Sequence, residues 1–525
     1  MQHYQTKEPG RAIPSQYSYD KIQDQLRHAL DLLSKGKTGE ALRLYRKILN
    51  SDPDNLHALF NAGIIHHSGE DLSQAVACYR KVLDQEPTNF QALHHMANAL
   101  KDLGHTNEAI MTYTAALELD NAHADTHYNL AITLHQEGRF EEAAERYQKA
   151  IDSDQSHFPA HYNKGVLFYE MECFVEAAQC YRNGLTIQPD EPDCLYNLGL
   201  TLTKLGHLAE AVNCHELCIR LNPDDPELHN TLGSLYKQQT RLEEAEACYR
   251  KAISLRPDYG IAHTNLAIVL HTLDRTEEAI LSYQNAIDHG HDQESAKYML
   301  SALKGESRTS APQLYITKLF DNYAENFEQT LTEKLGYEVP RLLKELFDDL
   351  VPPEVKLGHG IDLGCGTGLA GLHFKERVSR FTGVDLSGGM IKKAEEKKIY
   401  DSLHRADITE HLNSSPECFD LFIATDVFIY LGEIRPLFTA IAKRASDHAL
   451  MLFSVELGEG NADYTLQKSG RYCYSPDYLQ RLARDTGFKV LALREARLRK
   501  EKGEWLRGLL IAMGKTPGPT GSDQL

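Results

Sequence analysis

A repeat of 34 residues runs through the N-terminal half of the sequence. Alanine recurs at that interval eight times, and a tyrosine follows four residues later in every repeat except one, which has His215. A glycine or alanine lies twelve residues before each of these alanines. A period of this length indicates repeated helical hairpins, because one hairpin buries its apolar face only by stacking on the next. The alanines are Ala41, Ala75, Ala109, Ala143, Ala177, Ala211, Ala245 and Ala279.

This pattern resembles the tetratricopeptide repeat (TPR) family and covers residues 22–293, with a closing helix near residues 295–303. The resemblance implies an all-α superhelix whose concave groove binds protein or peptide partners. In this family the position two residues before each small residue faces the groove, where an asparagine amide can bond an extended peptide backbone. Asparagine is also a frequent consensus residue at that position, so a structural role stays open. The asparagines at that position are Asn61, Asn129, Asn163, Asn197 and Asn265.

The negative charge of the chain is unevenly distributed. The net charge is -19, yet acidic and basic side chains nearly cancel between Gln313 and Lys515. Almost all of the excess acid therefore lies outside that segment. A surface of that sign repels phosphate backbones, which disfavours nucleic acid and favours proteins or cationic groups as ligands. The charge also serves to keep a long repeat array soluble, and this alternative stays open.

Metal sites and membrane spans are disfavoured by the composition. The ten cysteines form no CxxC pair and have no accompanying histidine cluster, so we expect reduced thiols and no metal. No apolar run approaches the roughly 20 residues that span a bilayer. The first residues lack an apolar segment of the signal-peptide type. We therefore expect a cytoplasmic protein with no membrane partner.

A second, non-repeating domain is predicted after a short polar joint. From Val355 onward, apolar strands alternate with helices, which indicates a mostly parallel sheet covered by helices on both faces. The ligand of such a sheet lies beyond the carboxyl ends of its strands. The predicted boundaries are an N-terminal extension at 1–21, repeats at 22–304, the joint at 305–312, the sheet domain at 313–515 and a disordered tail at 516–525.

The segment DLGCGTG, residues 362–368, leaves the first strand of this domain and opens a helix. Its three glycines let the backbone approach a ligand and place amide donors at the helix start. Dinucleotide-binding proteins have glycine loops too, so the loop by itself is weak evidence. Here, however, the spacing is GxGxG rather than GxGxxG, with an acid just inside the strand.

This segment resembles the first motif of class I methyltransferases, which use S-adenosylmethionine, and the later motifs of that family follow in order. The resemblance implies a Rossmann-like domain with a seven-stranded, mostly parallel sheet. It implies that Asp385 accepts both ribose hydroxyls and that Asp407 receives the adenine amino group. The product would be S-adenosylhomocysteine. The residues expected to bind the cofactor are Asp362, Gly364, Cys365, Gly366, Gly368, Asp385, Leu386, Asp407, Ile408, Asp426 and Tyr323.

Longer segments narrow the resemblance to bacterial methyltransferases with N-terminal TPR repeats. These segments are FDNYAENFEQTLTEKLGYEVP, DLGCGTG, GVDLSGGM, DVFIYLG and SGRYCYS. In related sites the opening helix of the domain folds over the cofactor, which makes Tyr323 and Phe327 candidates for a lid. Packing onto the sheet would leave the same apolar stripe. Tyr474 stands where we associate a histidine with these proteins, so a base at that position is in doubt.

The predicted methyl acceptor is a protein, a peptide or a small molecule. The fourth motif ends in TDVF rather than the NPPY or DPPY run of nucleic-acid and glutamine methyltransferases, which disfavours base methylation. A general base is optional, because transfer from a sulfonium depends mainly on alignment in a desolvated cleft. Weak candidates for a base are Tyr430, Tyr474 and His448. The basic run at 497–507 either meets an acidic substrate or is a solvated hairpin.

Two other classes of function remain as alternatives. One is a TPR scaffold whose methyltransferase-like domain binds S-adenosylmethionine without efficient catalysis. The complete set of glycines and acids argues against such decay. The other is a nicotinamide-dependent oxidoreductase on the same kind of sheet, for which the glycine spacing does not fit.

Overall fold

The computed structural model describes residues 16–324, 327–501 and 503–516. The chain divides into two compact units, Met1–Thr240 and Arg241–Leu525. Most of the predicted extension at 1–21 and tail at 516–525 lies outside the described residues. The first helix nevertheless begins at Gln16, inside the predicted extension. None of the described helices is both long and apolar enough to cross a membrane.

The described part of the first unit is built from helices, which pack in consecutive pairs as the 34-residue period predicts. Asparagine side chains begin two of them, because Asn55 and Asn89 accept hydrogen bonds from backbone N–H groups in the first turn. The helices are α1 (Gln16–Ser34), α2 (Thr38–Ser51), α3 (Leu56–Ser68), α4 (Leu72–Gln85), α5 (Phe90–Asp102), α6 (Thr106–Leu119), α7 (Ala124–Gln136), α8 (Phe140–Ser153), α9 (Phe158–Glu170), α10 (Phe174–Ile187), α11 (Pro192–Lys204), α12 (Leu208–Leu221) and α13 (Pro226–Gln238).

The small residue of each repeat is explained by the ring that follows it sixteen residues later. A Cβ on Gly63 would lie 2.7 Å from the Tyr79 ring, and one on Gly165 would lie 2.6 Å from the Tyr181 ring. Both rings are almost completely buried. The pattern therefore records close packing between the two helices of a hairpin rather than a binding site.

His215 is the exception among these rings, and phenylalanine there is expected to stabilise the first unit by about 1 kcal/mol. Both ring nitrogens of His215 are buried without a hydrogen-bond partner among the described residues. Burial also lowers the pKa of His215 from 6.5 to about 4. The stability that depends on a neutral ring is therefore complete above pH 6.5 and is lost as the pH falls through about 4.

The gain in free energy of unfolding from His215→Phe should consequently grow as the pH falls from 7 to 5. Thermal unfolding of both proteins, followed by circular dichroism of the helices, measures the difference at each pH. An equal midpoint for the two proteins at pH 5 would contradict this account of the buried ring.

The second unit begins with the last repeat helices and continues into an α/β domain. A π-helical turn at Thr330–Lys334 directly follows the short helix Phe327–Gln329. The helices are α14 (Leu242–Leu255), α15 (Gly260–Thr272), α16 (Thr276–Asp288), α17 (Gln293–Lys304), α18 (Gln313–Tyr323), α19 (Phe327–Gln329), α20 (Val339–Asp348), α21 (Leu369–Phe374), α22 (Gly388–Glu396), α23 (Ile408–Ser414), α24 (Arg435–Arg444) and α25 (Pro476–Asp485).

The strands of this unit form one mixed sheet. Its main run is β3-β2-β1-β4-β5, all parallel, and β5 continues through antiparallel β9 to β8. This confirms the predicted seven-stranded, mostly parallel sheet. A short hairpin of β6 and β7 is added where β7 pairs with the end of β5. The strands are β1 (Leu357–Leu363), β2 (Val378–Asp385), β3 (Ser402–Arg405), β4 (Phe419–Ala424), β5 (Ala445–Leu457), β6 (Tyr464–Leu466), β7 (Tyr472–Tyr474), β8 (Phe488–Glu501) and β9 (Glu504–Lys515).

The segment predicted as a joint, residues 305–312, is packed onto this domain. The carbonyl of Thr309 accepts hydrogen bonds from the backbone N–H groups of Gly432 and Glu433. The carbonyl of Arg308 accepts one from the Tyr472 hydroxyl at 2.9 Å. The sequence predicts only a polar spacer here, because the groups that bond the backbone of this segment lie more than 100 residues further along the chain.

The closing helix α17 also packs onto the α/β domain. Tyr298 is completely buried, and its hydroxyl donates to the carbonyl of Gly470 at 2.8 Å. Its ring lies 5.2 Å from Tyr315 and 6.4 Å from Tyr472. The helix that ends the repeat array is therefore part of the core that supports the loop before β7.

Candidate functional site

A cavity of about 530 Å³ lies in the second unit, beyond the carboxyl ends of β1 to β4. The loop after β1 forms one wall, and α18 with the residues that follow it forms the opposite wall. The volume is within the range of about 300–1,000 Å³ that is common for small-molecule pockets. The position is the one expected for the ligand of a doubly wound sheet.

The loop between β1 and α21 has a backbone conformation that favours glycine. Gly364, Gly366 and Gly368 have φ angles of +70°, +54° and +90°. A Cβ on Gly364 would lie 2.5 Å from Val427, whereas one on Gly366 would meet nothing nearer than Phe327 at 3.9 Å. Gly366 therefore leaves a cradle open at the cavity wall, into which any side chain would intrude.

Asp385 ends β2 and holds this loop in place. Its Oδ2 accepts a hydrogen bond from the backbone N–H of Gly366 at 2.9 Å, and its Oδ1 accepts one from Ser387 at 2.8 Å. Burial raises the pKa of Asp385, and the backbone hydrogen bonds oppose that rise. Each carboxylate oxygen has a second acceptor position, so Asp385 can bind the two hydroxyls of a diol without releasing the loop.

Asp407 and Ile408 line the cavity where β3 leads into α23. Asp407 Oδ1 caps that helix by accepting from the backbone N–H groups of Thr409 and Glu410 at 2.8 and 3.0 Å. Its Oδ2 accepts from the side-chain amide of Gln313 at 3.3 Å. This oxygen is therefore oriented toward an amide-type donor, the kind of group that an adenine amino group presents.

Asp426 follows β4 in a left-handed conformation with φ +56°, which is uncommon for a residue with a side chain and indicates local strain. Its backbone N–H donates to Ser454 Oγ at 2.9 Å, and the same hydroxyl donates to Asp426 Oδ1 at 3.0 Å. Its Oδ2 accepts from Arg499. Contacts from β5 and β8 thus fix this carboxylate at the cavity wall.

Arg499 belongs to a buried ionic cluster near β7. Arg499 and Arg471 both donate to the same oxygen of Glu456, which is 4% exposed, and Arg471 also pairs with Glu501. Both arginines line the cavity. Because one buried carboxylate serves two guanidinium groups, each of them keeps N–H donors for a further partner.

Aromatic side chains close the cavity opposite the glycine loop. The Phe320 ring lies 5.4 Å from Tyr430 and 5.9 Å from Phe327, in both cases edge to face. Tyr323 also lines the cavity and is 54% exposed. The apolar stripe of α18 therefore faces the cavity.

Polar contacts attach this aromatic wall to the opposite side of the site. Asp321 Oδ1 accepts from the Ser387 hydroxyl and from the backbone N–H of Gly389 at 3.1 Å. Lys397 pairs with Glu328 and donates to the carbonyl of Thr367 at 2.7 Å. The wall is thus tied to both the glycine loop and the start of α22.

Two residues expected at the cofactor do not line the cavity. Asp362 is fully buried beneath the loop, where its Oδ2 accepts from the Tyr400 hydroxyl at 2.6 Å and burial raises its pKa to about 7. Gly368 faces Tyr400, 3.3 Å from the position of an added Cβ. The others expected there do line it, namely Gly364, Cys365, Gly366, Asp385, Leu386, Asp407, Ile408, Asp426 and Tyr323.

The three residues considered as bases lie in different environments. Tyr430 lines the cavity. Tyr474 is completely buried, and its hydroxyl donates to the carbonyl of Phe428 at 2.8 Å. His448 is exposed on β5. Tyr474 and His448 are therefore outside the cavity.

Sequence reasoning missed Tyr315, Arg471 and Arg499 as parts of the site. Arg471 stands in the segment SGRYCYS, in which the resemblance singles out only Tyr474, at the position of the expected histidine. Arg499 stands in the basic run at 497–507, which was considered for an acidic substrate only as a whole. A β-bulge between Arg497 and Lys500 turns Arg499 inward, to 7% exposure.

Three of the five asparagines predicted to face a groove form hydrogen bonds between successive repeats. The Asn163 and Asn197 amides donate to the hydroxyls of Tyr128 and Tyr162 at 3.0 and 2.9 Å. Asn129 donates to Asn98 at 3.1 Å. Of the other two, Asn61 donates to the carbonyl of His57 at 2.8 Å, and Asn265 is half-buried on α15. The amide nitrogens of Asn129, Asn163 and Asn197 thus connect successive repeats, which fits the structural role left open above.

Known protein families match the repeats and the α/β domain separately. A family model described as a methyltransferase domain matches residues 361–446. Models described as TPR or tetratricopeptide repeats match residues 26–90, 78–111, 97–138, 133–172, 192–225 and 224–289.

Two curated relatives match the C-terminal part at low identity. One is malonyl-[acyl-carrier protein] O-methyltransferase of Hamiltonella defensa, 27% identical over 141 residues, or 26% of this chain and 51% of that protein. The other is the 18S rRNA (guanine-N(7))-methyltransferase of Bos taurus, 27% identical over 113 residues, or 22% of this chain and 40% of that protein. The chain thus spans about half or less of the length of the curated relatives that it matches.

Among solved structures, the chain is similar to YrrB, described as a TPR protein with an unusual peptide-binding site. The identity is 25%, and the match covers 35% of this chain and 96% of that one, with a TM-score of 0.33.

Proposed function

We propose that this chain, in which tetratricopeptide repeats precede a methyltransferase domain, transfers a methyl group from S-adenosylmethionine to an acceptor bound in the same cavity. The observation that carries the proposal is the cavity wall formed by the open cradle at Gly366 and the carboxylate of Asp385. Open space next to a glycine backbone, beside a carboxylate that can accept from two hydroxyls, suits a nucleoside with a charged tail.

The residues present fit the parts of this cofactor one by one. Asp385 has acceptor positions for the ribose hydroxyls, and Asp407 Oδ2 already accepts an amide N–H where an adenine amino group would donate. Ile408, 7% exposed, and Leu386 give apolar contact beside them. Asp426 would face the methionine end.

When bound, S-adenosylmethionine would supply a methyl group on a sulfonium, whose carbon a nucleophile attacks in line as the thioether leaves. The protein contributes alignment and exclusion of water. Phe320, Phe327 and Tyr430 supply the apolar wall that covers the reacting end. Asp321 keeps that wall attached at Ser387 and Gly389.

We also propose that the repeats recruit a protein or peptide partner. Support comes from the repeat family and from the excess of acidic residues in that half of the chain, which favours a partner with basic side chains. Because the amide nitrogens of Asn163 and Asn197 bond neighbouring repeats, the carbonyl oxygens of these two side chains are the atoms offered to a peptide N–H.

Calorimetric titration of the full chain tests the cofactor. We expect S-adenosylmethionine and S-adenosylhomocysteine to bind with dissociation constants of roughly micromolar magnitude, and NAD not to bind. Binding of NAD alone would favour the oxidoreductase. Binding of S-adenosylmethionine without methyl transfer to any fraction of a cell extract would favour the scaffold.

A further inference from the structure

The cavity extends well beyond the residues assigned to the cofactor. Asp385 and Asp407 follow β2 and β3, at one edge of the sheet, whereas Tyr430 and Arg471 follow β4 and precede β7, toward the other edge. We name the second region, formed by Tyr315, Tyr430, Ser469, Arg471 and Arg499, the acceptor end.

The described lining of the cavity contains no histidine and no lysine. Of its carboxylates, Asp385 and Asp407 lie at the cofactor, and Asp426 is committed to Ser454 and Arg499. Burial raises the pKa of Tyr430 well above the ordinary tyrosine value, despite the opposing charges of Arg471 and Arg499. An acceptor that must lose a proton during transfer would therefore find no base there.

The acceptor end instead offers hydrogen-bond donors. Arg471 uses its Nε and one Nη2 hydrogen for Glu456 and Glu501, which leaves further guanidinium N–H groups. Tyr430 and Ser469, which each carry a hydroxyl, also line the cavity. Guanidinium and hydroxyl donors together suit an anion with planar oxygens.

The buried charges near this end are balanced before a ligand arrives. Arg471 and Arg499 offset the buried Glu456 and Asp426, whereas the Glu501 side chain is 40% exposed and screened by solvent. A single anionic group would then face the positive sulfonium across a cavity with aromatic walls. Attraction between such charges is stronger there than in water.

We propose that the methyl acceptor is a carboxylate held by Arg471 at the acceptor end, an inference that rests on the proposed methyltransferase function. A lone pair of the carboxylate oxygen forms the new O–CH₃ bond while the S–CH₃ bond breaks, and its electron pair stays on sulfur. The anion and the sulfonium are neutralised together, giving a methyl ester and a thioether. No proton is transferred, which agrees with the absence of a base in the described lining.

The test uses the full chain with S-adenosylmethionine labelled in the methyl group. The probes are straight-chain carboxylates from butyrate to dodecanoate and the amines of equal chain length. Products are treated with alkali, which releases a methyl ester as volatile methanol but leaves methylamines intact. We expect volatile label from at least one carboxylate and no label in the amines.

Arg471→Met should lower this volatile label by about tenfold or more, because it removes a charged hydrogen bond to the acceptor. Arg494→Met, at an exposed arginine on β8 that pairs with Asp349, should not. Binding of S-adenosylhomocysteine should stay within about threefold in both variants, which also shows that the domain is folded. Arg471→Lys should recover part of the activity, since it restores the charge but not the planar fork.

Several outcomes would overturn the carboxylate acceptor. They are alkali-stable label, methylation of the amines, no labelled carboxylate in protein that binds S-adenosylhomocysteine, or an unchanged rate in Arg471→Met. Failure of the full chain to bind S-adenosylhomocysteine would instead contradict the proposed function itself.

Discussion

Asp385→Ala is expected to weaken binding of S-adenosylmethionine by at least about a hundredfold. The substitution removes two acceptors for the ribose hydroxyls, each a charge-assisted bond worth about 1.5–3 kcal/mol. It also frees the backbone N–H groups of Gly366 and Ser387, which Asp385 now holds at 2.9 and 2.8 Å. The glycine loop therefore loses its side-chain attachment to β2 as well as its ligand contact, although the backbone N–H groups of Gly364 and Cys365 still donate to the carbonyl of Val384.

Calorimetric titration with S-adenosylhomocysteine measures this loss. Asp447→Ala is the matched control, because that carboxylate is exposed on β5, away from the cavity. Trp505 is the single tryptophan of the chain and lies on β9, so its fluorescence reports whether the α/β domain remains folded. Unchanged affinity in a folded Asp385→Ala protein would refute the cofactor site.

Tyr298→Ala is expected to destabilise the second unit by about 3–5 kcal/mol, the range for removing a large buried ring. The ring is completely buried between Tyr315 and Tyr472, and its hydroxyl donates to Gly470. Its loss leaves a cavity beneath the loop that holds Arg471. Tyr298→Phe keeps the ring and removes only the hydrogen bond, so a loss of about 1 kcal/mol is expected.

Urea unfolding of the full chain, followed through Trp505 fluorescence, separates these effects from unfolding of the repeats. Glu294→Ala is the control on the same helix, because that side chain is exposed and makes only a surface ion pair with Lys297. A Trp505 transition unaffected by Tyr298→Ala would show that α17 does not support the α/β domain.

The position of α17 has a practical consequence for dissecting the protein. A truncation that begins after residue 305 removes Tyr298, Met299 and Leu303, all of which are buried in the second unit. It also exposes the segment whose carbonyls bond Gly432 and Tyr472. The α/β domain therefore depends on buried side chains of α17, which lie before residue 305.

The sequence determined the features that depend on local spacing. A fixed period of 34 residues is sufficient to specify helical hairpins, because a small residue on one helix recurs opposite a ring on the other helix of the same hairpin, as Gly63 does opposite Tyr79. The alternation of strands and helices predicts the parallel sheet. The GxGxG loop predicts the wall of its ligand site, because positive φ angles restrict those positions to glycine. These patterns need no knowledge of distant contacts.

The acceptor end was decided only by tertiary structure. Arg471 and Arg499 lie 28 residues apart in the sequence and meet because Glu456, on β5, binds both. One bulge in β8 turns Arg499 inward within a run of basic residues, and such an irregularity leaves no periodic signal. The joint at 305–312 was likewise predicted as a spacer and α17 as the closing helix of the repeats, because their partners Gly432, Gly470 and Tyr472 lie more than 100 residues away in sequence. Cofactor contacts follow from short motifs, whereas the shape and charge of the acceptor end arise from side chains that only folding brings together.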